Sequence, residues 1–367
     1  MKIGVLTSSR ADYGIYQPLL NKLSIDARFD LEIIAFGMHL QEHQGNTIEN
    51  IRKDGYSKIH KVGVMPESDS IFDISFCYGE LVSDFARFWK EHTFDLIFAL
   101  GDRWEMSAAV QASIPFELKI AHIHGGETTL GATDNIYRHQ ISLASTYHFT
   151  AAEHFSERLK ALIDSKNGVH TVGSISLEYL DSMKLPEWSD VRSQFNISFD
   201  EFILVTFHPE SIGASRNEDY AKISFLVLEK LTSQYNILIT RANSDANGSL
   251  FNKQFERLQE LYPSKVKIVS ALGKLNYFKA MRQCLFMLGN TSSGIVEAAS
   301  FKKWVINVGD RQKGRLRNEN VFDVSFEPTK ILEMVSHVGR LHHYVGKNKY
   351  VKPGTTDMII KIISNDK

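Results

Sequence analysis

LFMLGNTSSGIVEA, residues 285–298, decides how the fold is read. Four residues rich in apolar side chains run into a polar turn bracketed by Gly289 and Gly294, and the spacing then becomes helical. A short, nearly continuous apolar run is the mark of a strand buried on both faces, and apolar residues at every third or fourth place mark a helix. The two glycines permit close backbone approach, and Thr291, Ser292 and Ser293 set hydroxyls at the start of the helix. Unpaired N–H groups and the positive end of the helix dipole favour an anion there, and a diphosphate suits the site. Glu297 is read on the first helical turn, within reach of ribose hydroxyls.

The same strand, polar turn and helix recur on either side. Apolar runs fall at residues 3–6, 31–36, 96–100, 119–122 and 147–149, then at 202–205, 236–239, 266–269, 285–288 and 304–308. Between them, residues such as Leu81, Phe85, Phe88 and Trp89, or Phe225, Leu228 and Leu231, are spaced as helical core stripes. Alternating β and α units imply right-handed crossovers and parallel sheets covered on both faces. Two series imply two α/β domains, and 367 residues agree with two at ~150 residues each. The stretch GSISLEYLDSMKLPEWSD, residues 173–190, breaks the rhythm, so the boundary and a hinge are expected near 173–200. The expected division is 1–175, 176–350, and a final helix in 351–367 that packs back on the first domain.

Composition narrows the class. Lys+Arg number 42 and Asp+Glu 43, a net charge of -1, so no electrostatic footprint for nucleic acid or an anionic membrane face is present. Hydrophobic residues at 43% and charged residues at 23% argue against long disorder. Two cysteines make neither a disulfide framework nor a Cys-type zinc site. The first apolar run is too short for a signal peptide, and nowhere do 18 apolar residues run together, so a soluble, cytoplasmic protein is expected.

Polar clusters follow the strands: SSRADYG at 8–14, GDR at 101–103, HIHGGE at 122–127, FHPES at 207–211, TRANSD at 240–245, and GDRQKGR at 309–315. Ligands of open α/β sheets bind outside the carboxyl ends of the strands, so two such sets predict two domains facing across one cleft. Asp102, His122, His124, Glu127 and Asp134 form the candidate acid–base set, since carboxylates and imidazoles side by side can divide acid and base roles. Arg10, Arg103, Arg241, Arg311, Arg315 and Arg317 stand just past strands, where a guanidinium suits phosphate. Neither GxxxxGK[ST] nor GxGxxG follows the first strand, which speaks against a P-loop or dinucleotide site. His39 to His43 matches HxxEH, but after a strand and outside any long helix, so a zinc peptidase is not expected.

SRADYG, GDR, HIHGGE, the pairs Asp134–Asn135 and Arg138–His139, FHPE, GNTSSG and INVGDRQKGR occur here in that order. The chain thereby resembles the UDP-N-acetylglucosamine 2-epimerase family, particularly the hydrolysing branch of sialic-acid synthesis and its legionaminic-acid relatives, from residue 1 to about 350. The resemblance implies two Rossmann-like domains in a glycosyltransferase-B-like arrangement. It also implies a homodimer or homotetramer, UDP-N-acetylglucosamine or a related nucleotide sugar as ligand, and no metal or redox cofactor. The implied reaction is anti elimination of UDP to 2-acetamidoglucal, then hydration to N-acetylmannosamine. Carried over by motif, Arg10, Asp12, Arg103 and Glu210 belong to the nucleotide and phosphate side, with Arg311 and His208 on phosphates or sugar. Asn243 lines the base pocket, Thr291, Ser292, Ser293 and Gly294 hold the diphosphate, and Glu297 takes the ribose. Asp102, Glu127, Asp134, His122 and His124 form the sugar-side cluster, with Asp102 expected to move the proton. Some members read HIEGGE where this chain has His124, so the share of acid and base work between His124 and Glu127 stays open. The resemblance leaves a nucleotide-linked 2,4-diacetamido-2,4,6-trideoxyglucose as the alternative substrate, and a non-catalytic nucleotide-sugar-binding protein as the alternative class.

Overall fold

The computed structural model describes residues 1–365 apart from 42–46, 64, 65, 67, 69, 181, 243–246 and 271. The chain divides into two compact units: 1–127, 134–180 and 350–367 make unit 1, and 128–133 with 181–349 make unit 2.

Unit 1 runs β1 (Lys2–Thr7), α1 (Arg10–Ile25), β2 (Asp30–Ala35), α2 (Ile48–Lys53), β3 (Ile59–Lys61), α3 (Ile71–Glu91), β4 (Leu96–Leu100), α4 (Trp104–Ser113), β5 (Ile120–Ile123), α5 (Asp134–Leu143), β6 (Tyr147–Thr150), α6 (Glu153–Leu162) and β7 (Val169–Thr171). Its seven strands lie in the order β3-β2-β1-β4-β5-β6-β7 and all pair in parallel. The period of two in a strand explains why the runs are apolar throughout. Val5, Ile33, Leu96 and Phe98 fill the core on one face, while Leu6, Ile34, Ile97 and Ala99 fill the core on the other. The stripe Leu81, Phe85, Phe88, Trp89 of α3 is buried as its spacing predicts.

Unit 2 runs α7 (Trp188–Phe195), β8 (Ile203–Thr206), α8 (Asn217–Leu231), β9 (Ile237–Thr240), α9 (Gly248–Leu261), β10 (Val266–Val269), α10 (Lys274–Gln283), β11 (Met287–Gly289), α11 (Ser292–Val296), β12 (Val305–Val308), β13 (Val321–Val324) and α12 (Pro328–Val338). Its six strands are ordered β10-β9-β8-β11-β12-β13, again all parallel. Both sheets therefore follow the doubly wound Rossmann pattern. The strand order reverses between β1 and β4 in unit 1 and between β8 and β11 in unit 2, and loops at such reversals are where ligands are received. Three strands have no apolar run to announce them. β3, β7 and β13 lie outermost in their sheets and are only partly buried, so their sequences IHK, VHT and VFDV need not be apolar.

The last helix, α13 (Thr355–Asn365), belongs to unit 1, where Ile359 and Ile363 enter the same core as α1. Among the described residues no helix is long and apolar enough to cross a membrane. Because Ile359 is wholly buried, Ile359→Ala should destabilise unit 1 by about 2–5 kcal/mol, the usual range for such a truncation. Urea unfolding followed by circular dichroism reads this, and an unchanged midpoint would detach α13 from the stability of the unit.

Candidate active site

In unit 1 polar residues gather at the carboxyl ends of β4 and β5 around one buried guanidinium. Arg138 lies on α5 in the same buried stripe as Ile141 and Ser142 and is 1% exposed. One of its terminal nitrogens pairs with the Asp102 carboxylate, and the other donates to the His124 carbonyl at 2.8 Å and lies 3.9 Å from Glu127 Oε2. Asp102 itself stands in the turn after β4 and keeps part of its side chain in solvent.

His124 follows β5 at φ 65°, a left-handed conformation that turns its ring back onto Glu127. Its Nδ1 is 2.6 Å from Glu127 Oε1, and because a carboxylate only accepts, the network assigns the proton to Nδ1. Nε2 is thereby left as the nitrogen able to take or give a proton, with Ser174 Oγ 3.4 Å away. Such a carboxylate–imidazole pair with a buried partner is suited to general acid–base work. Asp134 opens α5 and is half-buried.

His122 takes a different place from the one its sequence position suggests. Nε2 donates to the Gly101 carbonyl at 2.8 Å and Nδ1 accepts from Ser142 Oγ at 2.9 Å, so both nitrogens are occupied. Burial pushes its pKa down to about 3, so it is neutral and holds the turn that carries Asp102. Asp12 is likewise spent locally. Its carboxylate accepts from Ser8 N at 2.7 Å, Ser8 Oγ at 2.8 Å and Ser9 N at 3.0 Å, closing a capping box on α1. Arg10 is the first residue of that helix and half-buried, and Arg103 pairs at 2.8 Å with the buried Glu105.

Among the described residues no group of three or more His, Cys, Asp or Glu side chains is placed to hold a metal. Glu42 and His43 of the HxxEH match lie outside the described residues. His39 is occupied on both sides, with Nε2 2.9 Å from Thr7 Oγ1 and Nδ1 2.6 Å from Thr47 Oγ1.

In unit 2 the turn after β11 is clamped to the turn after β8. Asn290 Oδ1 accepts from His208 N at 2.7 Å and Asn290 Nδ2 donates to the His208 carbonyl at 2.9 Å. Gln312 Nε2 donates to the Asn290 carbonyl at 2.9 Å, which brings the segment after β12 into the same network. Thr291 caps α11 by accepting from Ser293 N, and Ser292, Ser293 and Gly294 form its first turn. The glycines answer to the fold. Gly289 has φ 142°, and a Cβ there would lie 1.9 Å from the Thr206 carbonyl oxygen, while one on Gly294 would meet Val305.

Glu297 is five residues past Ser292, at the end of α11 instead of on its first turn, because the helix lasts a single short stretch. It is nearly buried, and Lys274 at the start of α10 faces it. Burial pulls the Lys274 pKa down to about 8 against the attraction of Glu297. Tyr277 hydrogen-bonds Ser293 and Thr206, and burial pushes its phenol up. Glu210, buried with its pKa raised by burial, accepts from Asp310 N at 2.6 Å and so fixes the loop that carries Arg311. Arg241 and Arg317 are committed to Glu256 and Asp323, and Asn243 lies outside the described residues. Arg138, Asn290, Gln312, Lys274 and Tyr277 were not singled out as site residues from the sequence. Only Arg138 carried a signal, a cation in the apolar register of its helix.

The model of a family described as UDP-N-acetylglucosamine 2-epimerase matches residues 21–364. A Legionella pneumophila protein named UDP-N,N'-diacetylbacillosamine 2-epimerase (hydrolyzing) is 32% identical over 90% of this chain and 87% of its own. Polysialic acid biosynthesis protein P7 of Escherichia coli is 28% identical over 91% of this chain and 85% of its own. The crystal structure of Methanocaldococcus jannaschii UDP-GlcNAc 2-epimerase in complex with UDP-GlcNAc and UDP shares the fold, with a TM-score of 0.83 at 16% identity over 100% of both chains.

The buried histidines give a pH dependence whose sign is fixed. Burial holds His122 near 3, and His39 and His148 near 4, all below the ordinary 6.5. Below about 6.5 the unfolded chain takes up protons that the folded chain refuses, so stability should fall as pH drops from about 6.5 toward 4. Each histidine contributes about 1.4 kcal/mol per pH unit in that window. His148→Phe, which leaves the Arg138 cluster untouched, should flatten the slope of unfolding free energy against pH; an unaltered slope would mean His148 titrates normally.

Proposed function

Because the chain belongs to the UDP-N-acetylglucosamine 2-epimerase family, we propose that it is a hydrolysing 2-epimerase, converting a UDP-linked 2-acetamido sugar and water to UDP and the free sugar with C2 inverted. The observation that carries the reading is the buried array Asp102–Arg138–Glu127–His124 at the ends of β4 and β5. Inversion through elimination and hydration needs one group to remove the C2 proton and another to deliver a proton to the opposite face of the double bond. Asp102 takes the C2 proton as the C1–O bond to the diphosphate breaks. His124, carrying a second proton on Nε2 and with Glu127 behind Nδ1, gives that proton to C2 as water adds at C1. The proton lost by the water passes to the emptied Nε2, and Asp102 sheds the C2 proton to solvent. Asp134 lies on the sugar side with them, and His122 holds the Asp102 turn.

On the leaving-group side, Thr291, Ser292, Ser293 and Gly294 receive the diphosphate, with Arg10, Arg103, Arg311 and His208 as donors to it. Glu297 accepts from the ribose and Asn243 meets the base. Cationic and N–H donors aimed at the departing oxyanion are the usual means of stabilising such a charge. Asp12 and Glu210 position their loops. The chain functions as a homodimer or homotetramer, which light scattering would test.

For the sugar, UDP-N,N'-diacetylbacillosamine is put first, supported by the 32% identity to the Legionella protein of that name. UDP-N-acetylglucosamine is the second reading, favoured by the common fold with the Methanocaldococcus enzyme.

Proton NMR in deuterated water with each nucleotide sugar separates these readings. Free UDP and a C2-deuterated epimer are expected from the true substrate. A UDP-sugar that persists as an epimer mixture would overturn hydrolysis, and UDP binding without turnover of either sugar would leave a binding protein. Asp102→Asn and His124→Asn should each lower kcat by ~10²–10⁴-fold. Asp102→Asn with more than about a tenth of wild-type kcat would remove that residue from proton transfer.

A further inference from the structure

Glu127 and Asp134, both assigned above to the sugar, are separated by only six residues, TTLGAT at 128–133. Those six belong to unit 2 and are anchored on the loop 309–315 that carries Arg311. Leu130 N donates to the Lys313 carbonyl at 2.9 Å, and the Gly131 carbonyl accepts from Ile212 N at 3.3 Å. Gly131 is seated so closely that a Cβ on it would stand 2.2 Å from the Asp310 carbonyl oxygen and 2.7 Å from Arg311 N. Its φ is not in the positive range, so the backbone of Asp310 and Arg311, not torsion, excludes a side chain there. The seat is itself fixed. Glu210 Oε1, on a residue 1% exposed, accepts Asp310 N at 2.6 Å, and the Glu210 backbone is tied in both directions to Asn217 at 2.9 and 2.8 Å.

Resting on the function proposed above, we propose that residues 128–133 are a strap whose seat on loop 309–315 positions Glu127 and Asp134, so that a nucleoside diphosphate engaging that loop steadies the acid–base carboxylates through the chain. Two residues separate each anchor from the carboxylate it governs, a span of at most ~11 Å, which leaves little slack to absorb a displaced seat. Misplacing a reacting group by about 1 Å can cost ~10²-fold in rate. Gly131 acts here as a positioning residue, and Glu210 and Asn217 hold its seat.

Hydrogen exchange of the full-length protein, with and without saturating UDP, tests this without relying on turnover. Peptides covering 128–133 should exchange more slowly with UDP bound. Gly131→Ala should abolish that response and lower kcat at least ~10-fold while its affinity for UDP stays that of the wild type. Gly79→Ala, on a helix position open to solvent, is the control and should change neither. UDP that binds while exchange across 128–133 stays the same overturns the proposal, even if Gly131→Ala does not fold. So does a Gly131→Ala protein with wild-type kcat, or one that loses UDP affinity in step with kcat. Protection by UDP in a protein that hydrolyses neither sugar would uphold the strap and strike the proposed reaction alone. Failure of UDP to bind would remove both.

Discussion

A guanidinium taken out of water must be met by acceptors, and the arrangement around Arg138 follows from that requirement. One removed partner in such a buried cluster leaves an uncompensated charge, a cost of several kcal/mol. The two carboxylates and the His124 carbonyl that answer Arg138 come from the turns after β4 and β5. Those turns are consequently drawn into a single register, and the imidazole of His124 is oriented as a by-product of satisfying the charge. His122 completes the frame from below, since its neutral ring ties Gly101 to Ser142. The arrangement at this end of the sheet thus depends on balancing a buried charge more than on any single side chain.

Unit 2 solves the corresponding problem with amides. Asn290 offers one acceptor and two donors, which match the backbone of His208 and make a neutral clamp where unit 1 uses ions. A neutral clamp fixes the turn without adding a charge to it. Lys274, Glu297 and Tyr277 stand close behind that turn. Burial lowers the pKa of Lys274 and raises that of Tyr277, a pattern that clusters at functional sites.

Much of this was legible in the sequence because parallel strands buried on both faces write themselves as apolar runs, and the polar turns after them are short and glycine-marked. β3, β7 and β13 escaped because an outermost, half-covered strand has no need of such a run. Glu297 was misplaced by a turn because nothing in GNTSSGIVEA tells how soon the helix ends. A strand-end position does not reveal whether a side chain such as that of His122, expected in the acid–base set, or of Asp12, expected on the nucleotide side, faces a ligand or its own loop. Arg138 is the instructive case. A cation in the buried stripe DNIYRHQIS is a contradiction in the pattern, and a contradiction of this kind marks a place where the fold serves something besides stability.

The interleaving of the two units has a consequence for inheritance. Exchange of the second unit between relatives would need four junctions, at 127/128, 133/134, 180/181 and 349/350, where two simply fused domains would need one. A single crossover in the middle of the gene yields a second half without residues 128–133 and a first half without α13. Recombination should therefore pass these two units on as one block.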